Sequence, residues 1–198
     1  DAAVYQPQDG TLTVNGTVTG ATGIEIKGGS LEVGASAKIT ATGTPGHTAN
    51  NDGTSSRGYA IAIVENGQYA GVTAVGIDDS ANLKGAVVQL KDSEKASFNP
   101  TYTGSKVGKK VAAIGNDEYF TLNDAIAIVP SEGTVKLIND LALTKTFEMD
   151  AEKTYTFDLN ANFNTVIVSQ RIPHKNGRME IRIINCLYTK YKEKLRAL

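Results

Sequence analysis

The chain has 198 residues, enough for one large domain or two small ones, with 40% hydrophobic residues, no tryptophan and 20 glycines. Its formal net charge of −1 is unevenly spread: residues 1–163 hold 12 Lys+Arg against 19 Asp+Glu, whereas residues 164–198 hold 8 against 2. The acidic body lacks the basic field that attracts nucleic acid, the single cysteine (Cys186) excludes an intrachain disulfide or a cysteine-based metal cluster, and no run approaches the roughly 18 apolar residues of a membrane span.

The chain opens at Asp1 rather than Met, as a processed form or an excised fragment would. Its first part is written in short bursts. Between Gly10 and Gly43, Leu12, Val14, Val18, Ile24, Ile26, Leu31, Val33 and Ile39 alternate with small polar residues, and glycines separate the bursts. Period-two spacing with frequent turns predicts many very short strands. Bursts of three to five residues are most economically buried when stacked as rungs of a solenoid. Asn15-Gly16 marks a tight turn, as does Asn66-Gly67 further on. Residues 42–58, TGTPGHTANNDGTSSRG, are poor in apolar groups and predict a long loop projecting from the stack. A second set of bursts follows, with Ile61, Ile63, Val72, Val75, Ile77, Leu83, Val87 and Leu90 as inward candidates.

Residues 99–110 have little to bury and predict a linker between a first unit, 1–98, and a second, 111–163. In the second unit, Gly115-Asn116 predicts a small hairpin. Thr121 is a helix N-cap candidate with Asp124 three residues on, and Leu122, Ala125, Ile126 and Val129 share a helical face that Pro130 ends. This short helix, near 121–129, suits the closing of a stack's end. Short strands are expected over 134–138, 146–149 and 154–159. The basic segment 164–198 reads as a further rung and terminal helix or as a non-native extension.

Val111 to Asn160 resembles the opening of the pectin-lyase-like parallel β-helix repeats of Gram-positive bacterial surface proteins. The resemblance rests on Ala113-Ile114-Gly115, Tyr119-Phe120-Thr121-Leu122, Ala125-Ile126, Gly133-Thr134-Val135, Leu137, Asp140 and Asp158-Leu159-Asn160. The family follows Asp-Leu-Asn with Gly, where this chain has Ala161. Residues 10–98 look like later rungs of the same kind. The resemblance implies an all-β, right-handed parallel β-helix and a stalk or adhesin-like role at the bacterial surface. The same scaffold also serves polysaccharide lyases.

Chemistry-bearing residues are sparse. The richest polar cluster is His47, Asn50, Asn51, Asp52 and Arg57 in the 42–58 loop, where ligand contact is expected. His174, the other histidine, lies in the tail, so neither has a His or Cys partner at metal-ligand spacing. Asp78-Asp79 is the one adjacent acidic pair among the rungs and a weak candidate for Ca²⁺. Its flanks, Ile77 and Ser80, suggest a turn with a solvated Asx cap instead. Lys27, Lys38, Arg57, Lys84 and Lys91 have no clustered acids opposite them in any evident register, and Gly28-Gly29 lacks the Lys-Ser/Thr of a phosphate loop. Thr11-Thr13, Thr17-Thr19 and Thr40-Thr42 read as β-branched solvent-face residues rather than a flat ice-binding ladder.

These observations give one expectation: a secreted or surface-displayed bacterial scaffold, non-enzymatic and without a cofactor, whose loops contact a host glycan or protein. It neither binds nucleic acid nor inserts in a membrane. A carbohydrate-active or carbohydrate-binding β-helix is the alternative, and a phage-fibre protein a further one.

Overall fold

A computed structural model describes residues 2–50, 53–65, 71–91, 99–139, 155–159 and 183–184. Asn66-Gly67, the strand expected at 146–149, His174, Cys186 and nearly all of the 164–198 tail lie outside them.

The protein is mostly β. The alternating bursts form β1 (Ala2–Gln6), β2 (Thr11–Val14), β3 (Thr17–Gly20), β4 (Thr22–Ile26), β5 (Gly29–Val33) and β6 (Lys38–Ala41). A hairpin of β7 (Gly46–Asn50) and β8 (Gly53–Arg57) follows. Then come β9 (Tyr59–Val64), β10 (Val72–Ile77), β11 (Asn82–Lys84), β12 (Ala86–Leu90) and β13 (Thr101–Thr103). β1, β4, β9 and β12 pair in parallel; so do β2, β5, β10 and β13, and so do β3, β6 and β11. The chain therefore visits three parallel sheets in rotation, and its fourth circuit ends after β13 in a 3₁₀ turn at Ser105–Val107.

Register places like on like. Val4, Ile24, Ile61 and Val87 form one column, and Leu12, Leu31, Val75 and Tyr102 a second. Val18, Ile39 and Leu83 form a third. Ile24, Ile39, Ile61 and Leu31 are fully buried in one cluster, each contributing about 1.5–3 kcal/mol by removal from water.

In the first sheet β4, β9 and β12 are buried on both faces, which explains the unbroken apolar run of β9. Ile61, Ile63 and Val87 face the inner cluster, whereas Tyr59, Ala62, Val64, Val88 and Leu90 belong to a second cluster. The segment after Lys110 supplies that cover. β14 (Ala112–Ile114) and β15 (Asp117–Tyr119) form the expected hairpin about Gly115-Asn116, and β15 pairs antiparallel with β12. β14 pairs antiparallel with β16 (Thr134–Leu137), which pairs in parallel with β17 (Thr156–Asp158), and β17 with β18 (Ile183–Ile184). Helix α1 (Leu122–Ile128) begins where the Thr121 hydroxyl accepts the Asp124 N–H at 3.1 Å, and it buries Leu122, Ala125 and Ile126.

Two expectations give way here. Residues 99–110 are not a free linker: Thr101–Thr103 pairs with β10, and Val107 is fully buried in the inner cluster. The apolar face of α1 joins the second cluster, with residues of β14, β16 and β17. Phe120, just before it, joins the inner one instead. The second unit is likewise continuous with the first through the β12–β15 pairing.

Candidate functional site

Most of the polar groups expected to carry function lie on the 42–58 insertion, which the chain makes between β6 and β9. It is not an irregular loop. β7 and β8 pair antiparallel from Gly46↔Arg57 to Asn50↔Gly53, with His47 opposite Ser56. Both ends of the insertion are pinched onto one carbonyl: Gly43 and Gly58 N–H donate to the Ala21 oxygen at 3.1 and 2.8 Å. Gly58 has φ +79°, and a Cβ there would lie 2.3 Å from the Pro45 nitrogen, so only glycine fits.

A buried polar cluster fastens the hairpin to the first sheet. The Ser56 N–H and hydroxyl donate to Glu25 Oε2 at 2.7 and 2.6 Å, and the hydroxyl also lies 3.4 Å from Thr22 Oγ1. The other carboxylate oxygen of Glu25 is 3.6 Å from Lys27 Nζ, and both side chains are almost wholly buried. Lys27 Nζ in turn stands 5.5 Å from the centroid of the Tyr5 ring. A charge pair taken out of water is tolerated only when hydrogen bonds complete its coordination, and Ser56 provides them.

A second contact joins the hairpin to β15. His47 Nδ1 is 3.3 Å from Asp117 Oδ2. Burial pushes the Asp117 carboxyl up to about 6, against the lowering effect of the imidazole. Tyr59 and Tyr119 hydrogen-bond to each other beside it. Burial, then the Asp117 charge, pushes the Tyr59 hydroxyl up to about 12, and burial raises Tyr119 too. Asp124 at the helix start is also raised by burial, opposed by a hydrogen bond from Thr121. The Asp117 carboxyl is thus raised toward neutrality, while the two tyrosine hydroxyls beside it stay protonated. Ser56, His47 and Asp117 have the composition of a nucleophile, base and orienting acid. The Ser56 hydroxyl is turned to Glu25, however, so the three do not form a relay.

A third polar group seals the far end of the inner core. Gln89 and Tyr102 occupy inward columns that are aliphatic in the preceding circuits. The Tyr102 hydroxyl hydrogen-bonds Gln89 Oε1, and Gln89 Nε2 donates to Glu118 at 3.2 Å. Lys91 and Lys110 each reach Glu118 at 2.8 Å. Burial alone would raise the Glu118 carboxyl, but these lysines hold it below its ordinary value. The Tyr102 ring packs edge-on against Phe120, with centroids 4.9 Å apart.

Of the residues singled out from sequence, His47 and Arg57 sit on the hairpin with Asn50; His47 acquires a distant acidic partner in Asp117 and Lys91 one in Glu118. Asn51 and Asp52 lie outside the described residues. Asp78 and Asp79 point to different partners. Asp78 Oδ1 accepts the Ser80 N–H at 2.8 Å, whereas Asp79 Oδ1 accepts the N–H and hydroxyl of Ser105 at 2.8 and 2.7 Å. Those bonds, the Ser105 hydroxyl first, hold the Asp79 carboxyl below its ordinary value. Both aspartates tie turns rather than converge on a cation. Among the described residues, no three His, Cys, Asp or Glu gather in a metal-binding arrangement. The threonines form one pair, Thr19 on Thr40, but no extended rank: Thr11, Thr13 and Thr17 stack on Ser30, Glu32 and Lys38.

The groups that sequence reading missed are Glu25, Asp117 and Glu118, and it left Lys27 and Lys91 without the acids they meet, Glu25 and Glu118. Only Glu25 and Lys27 carried a signal, as charges at alternate positions within an apolar burst. Compared with known proteins, the chain matches no family model, no curated protein and no solved structure.

Proposed function

We propose that the chain is a non-enzymatic display scaffold, a right-handed parallel β-helix of the bacterial secreted or cell-surface kind. The 42–58 insertion is its contact element for a host glycan or protein. The rotation of the chain through three parallel sheets, with columns of like residues, supports the β-helical reading. The resemblance of residues 111–160 to pectin-lyase-like surface repeats supports the setting.

One observation carries the functional part. The hairpin is held from beneath by buried Ser56 and from the side by His47, while Thr48, Ser55 and Arg57 remain exposed. An anchored hairpin presents polar side chains at little ordering cost, as a contact surface requires. The test is binding to glycan and host-protein arrays by the full chain and by a variant with residues 44–57 replaced by a short Gly-Ser bridge. Loss of binding in the folded variant is expected. Undiminished binding would overturn the assignment of the hairpin, and turnover of uronate polymers with Ca²⁺ would overturn the non-enzymatic reading.

A further inference from the structure

We infer that the polar group at Gln89 is a site of self-modification, where the side chains of Lys110 and Gln89 join in an amide bond with loss of ammonia and Glu118 carries the protons. The inference rests on the geometry around one buried carboxamide and not on any ligand of the hairpin.

Gln89 is fully buried, and both ends of its carboxamide are engaged. The Tyr102 hydroxyl donates to Oε1, and Lys110 Nζ lies 3.3 Å from the same oxygen. The amide nitrogen, Nε2, donates to Glu118 Oε2 at 3.2 Å. Lys110 Nζ reaches that same Oε2 at 2.8 Å. One carboxylate oxygen therefore bridges the amine and the amide nitrogen that the amine would displace. The other oxygen, Oε1, meets Lys91 Nζ at 2.8 Å, which fixes the carboxylate in this orientation. The Lys110 and Glu118 side chains are only 17% and 18% exposed, so little water competes for the site.

Amide exchange needs a nucleophile, a polarised carbonyl, a donor for the developing oxyanion and a proton carrier, and all four meet here. Lys110 first gives a proton to Glu118 Oε2, and the freed lone pair attacks Gln89 Cδ to form the new C–N bond. The carbonyl π pair moves onto Oε1, where the Tyr102 hydroxyl stabilises the charge. Burial, then the Glu118 charge, raises that hydroxyl and keeps it a donor. Glu118 passes its proton to Nε2, the C=O re-forms and the Cδ–Nε2 bond breaks. The surplus proton on the new amide nitrogen leaves through Glu118 with the ammonia, as ammonium. An ammonium and a primary amide thus become a secondary amide and an ammonium ion, with no oxidant or other reactant.

The neighbours of the site are less suited to this chemistry. Asn99 Oδ1 is also 3.4 Å from Lys110 Nζ, but Asn99 is exposed, and the Tyr102 hydroxyl serves Gln89 instead. Lys91 stands at the carboxylate oxygen that does not meet Nε2. Holding amine and amide together in one orientation supplies much of what makes the same exchange negligible between free molecules. The bond would join residues 21 positions apart, fastening β12 to the residue that leads into β14. The cover of the first sheet would then be tied covalently to the strand it covers.

The test is intact-mass spectrometry of the full chain in denaturant, followed by digestion and fragment sequencing. A mass lower than that of the sequence by one ammonia is expected, with Gln89 and Lys110 in one branched peptide. Lys110→Arg keeps a positive charge beside Glu118 but has no amine to deprotonate, so it should retain the full mass of its sequence. Timed from cell-free synthesis, Tyr102→Phe should form the bond about a hundredfold more slowly, as expected for loss of one oxyanion donor. Glu118→Gln cannot carry the proton and should not form it. Circular dichroism shows which variants fold, and Lys110→Arg with Tyr102→Phe suffices if Glu118→Gln does not. A folded full chain that keeps the whole mass of its sequence would overturn the proposal. So would a bond to Asn99 in place of Gln89, or one formed as fast in Tyr102→Phe.

Discussion

The Glu25–Lys27–Ser56 cluster permits a quantitative separation of charge from hydrogen bonding. In Glu25→Gln the amide oxygen can still accept from the Ser56 N–H and hydroxyl, so the hairpin keeps its bonds. Lys27, almost wholly buried, loses its carboxylate. Removing one partner of a buried pair costs about 3–5 kcal/mol. The Tyr5 ring, 5.5 Å from the ammonium, is present in parent and variant alike and offsets none of this, and the lower part of the range, about 3 kcal/mol, is expected. Glu25→Ala also strips two acceptor bonds and should cost roughly 2 kcal/mol more. Replacing both charges, as Glu25→Gln/Lys27→Met, should restore most of the loss, because the apolar stem is kept while no charge is buried. Denaturant unfolding followed by circular dichroism measures all three, and 3 kcal/mol corresponds to roughly 6–12 °C in Tm for a chain of this size. Hydrogen exchange of the 46–57 amides should loosen in Glu25→Ala and not in Glu25→Gln. A double variant as unstable as Glu25→Gln would refute the argument, because the cost could not then come from the buried lysine charge.

Asp117 should impose a pH dependence of identifiable sign. Its carboxyl is raised in the folded state to about 6, so the stability it contributes is fully present below its unfolded value and is lost as pH rises through 6. Stability of Asp117→Asn relative to the parent should therefore increase across this window, by about 1–2 kcal/mol once the part-exposed His47 is allowed for. A flat difference between pH 4 and 7 would contradict it. At the sealed end, Tyr102→Phe retains the ring contact with Phe120 but removes the hydroxyl from Gln89. It should cost about 1–2 kcal/mol by chemical denaturation, and a neutral effect would mean that Gln89 is satisfied without it.

Much of the β architecture was legible because local signals agreed. The bursts around Leu12, Ile24, Leu31 and Ile39 became strands in which like residues stack, and Gly115-Asn116 and Thr121 turned and capped where their chemistry demands. What escaped was which faces are covered. The unbroken run from Tyr59 to Val64 meant burial on both sides, but an apolar run alone does not say what lies on the second side. The segment around Tyr102 looked empty because its one aromatic and Lys110 act through Gln89 and Glu118, outside the segment. The site was less legible still. His47 stood out as a rare residue, yet its partner Asp117 lies 70 positions away, and Ser56 and Glu25 are common residues made specific only by the fold.

The corner between the third and first sheets is turned by a single residue at Ala21 and again at Gly85, but by the 17 residues 42–58 in between. Above and below that excursion the ladders stay in step, Ile24 beside Ile61 and Ile61 beside Val87. Register is thus owed to the columns and not to the length of the connection. Closing a longer loop costs only slowly more, about 0.6 kcal/mol per doubling. That corner can accept or shed sequence while the stack goes on undisturbed. Both a lineage exploring new contacts and a designer grafting a foreign loop would find their place of insertion there.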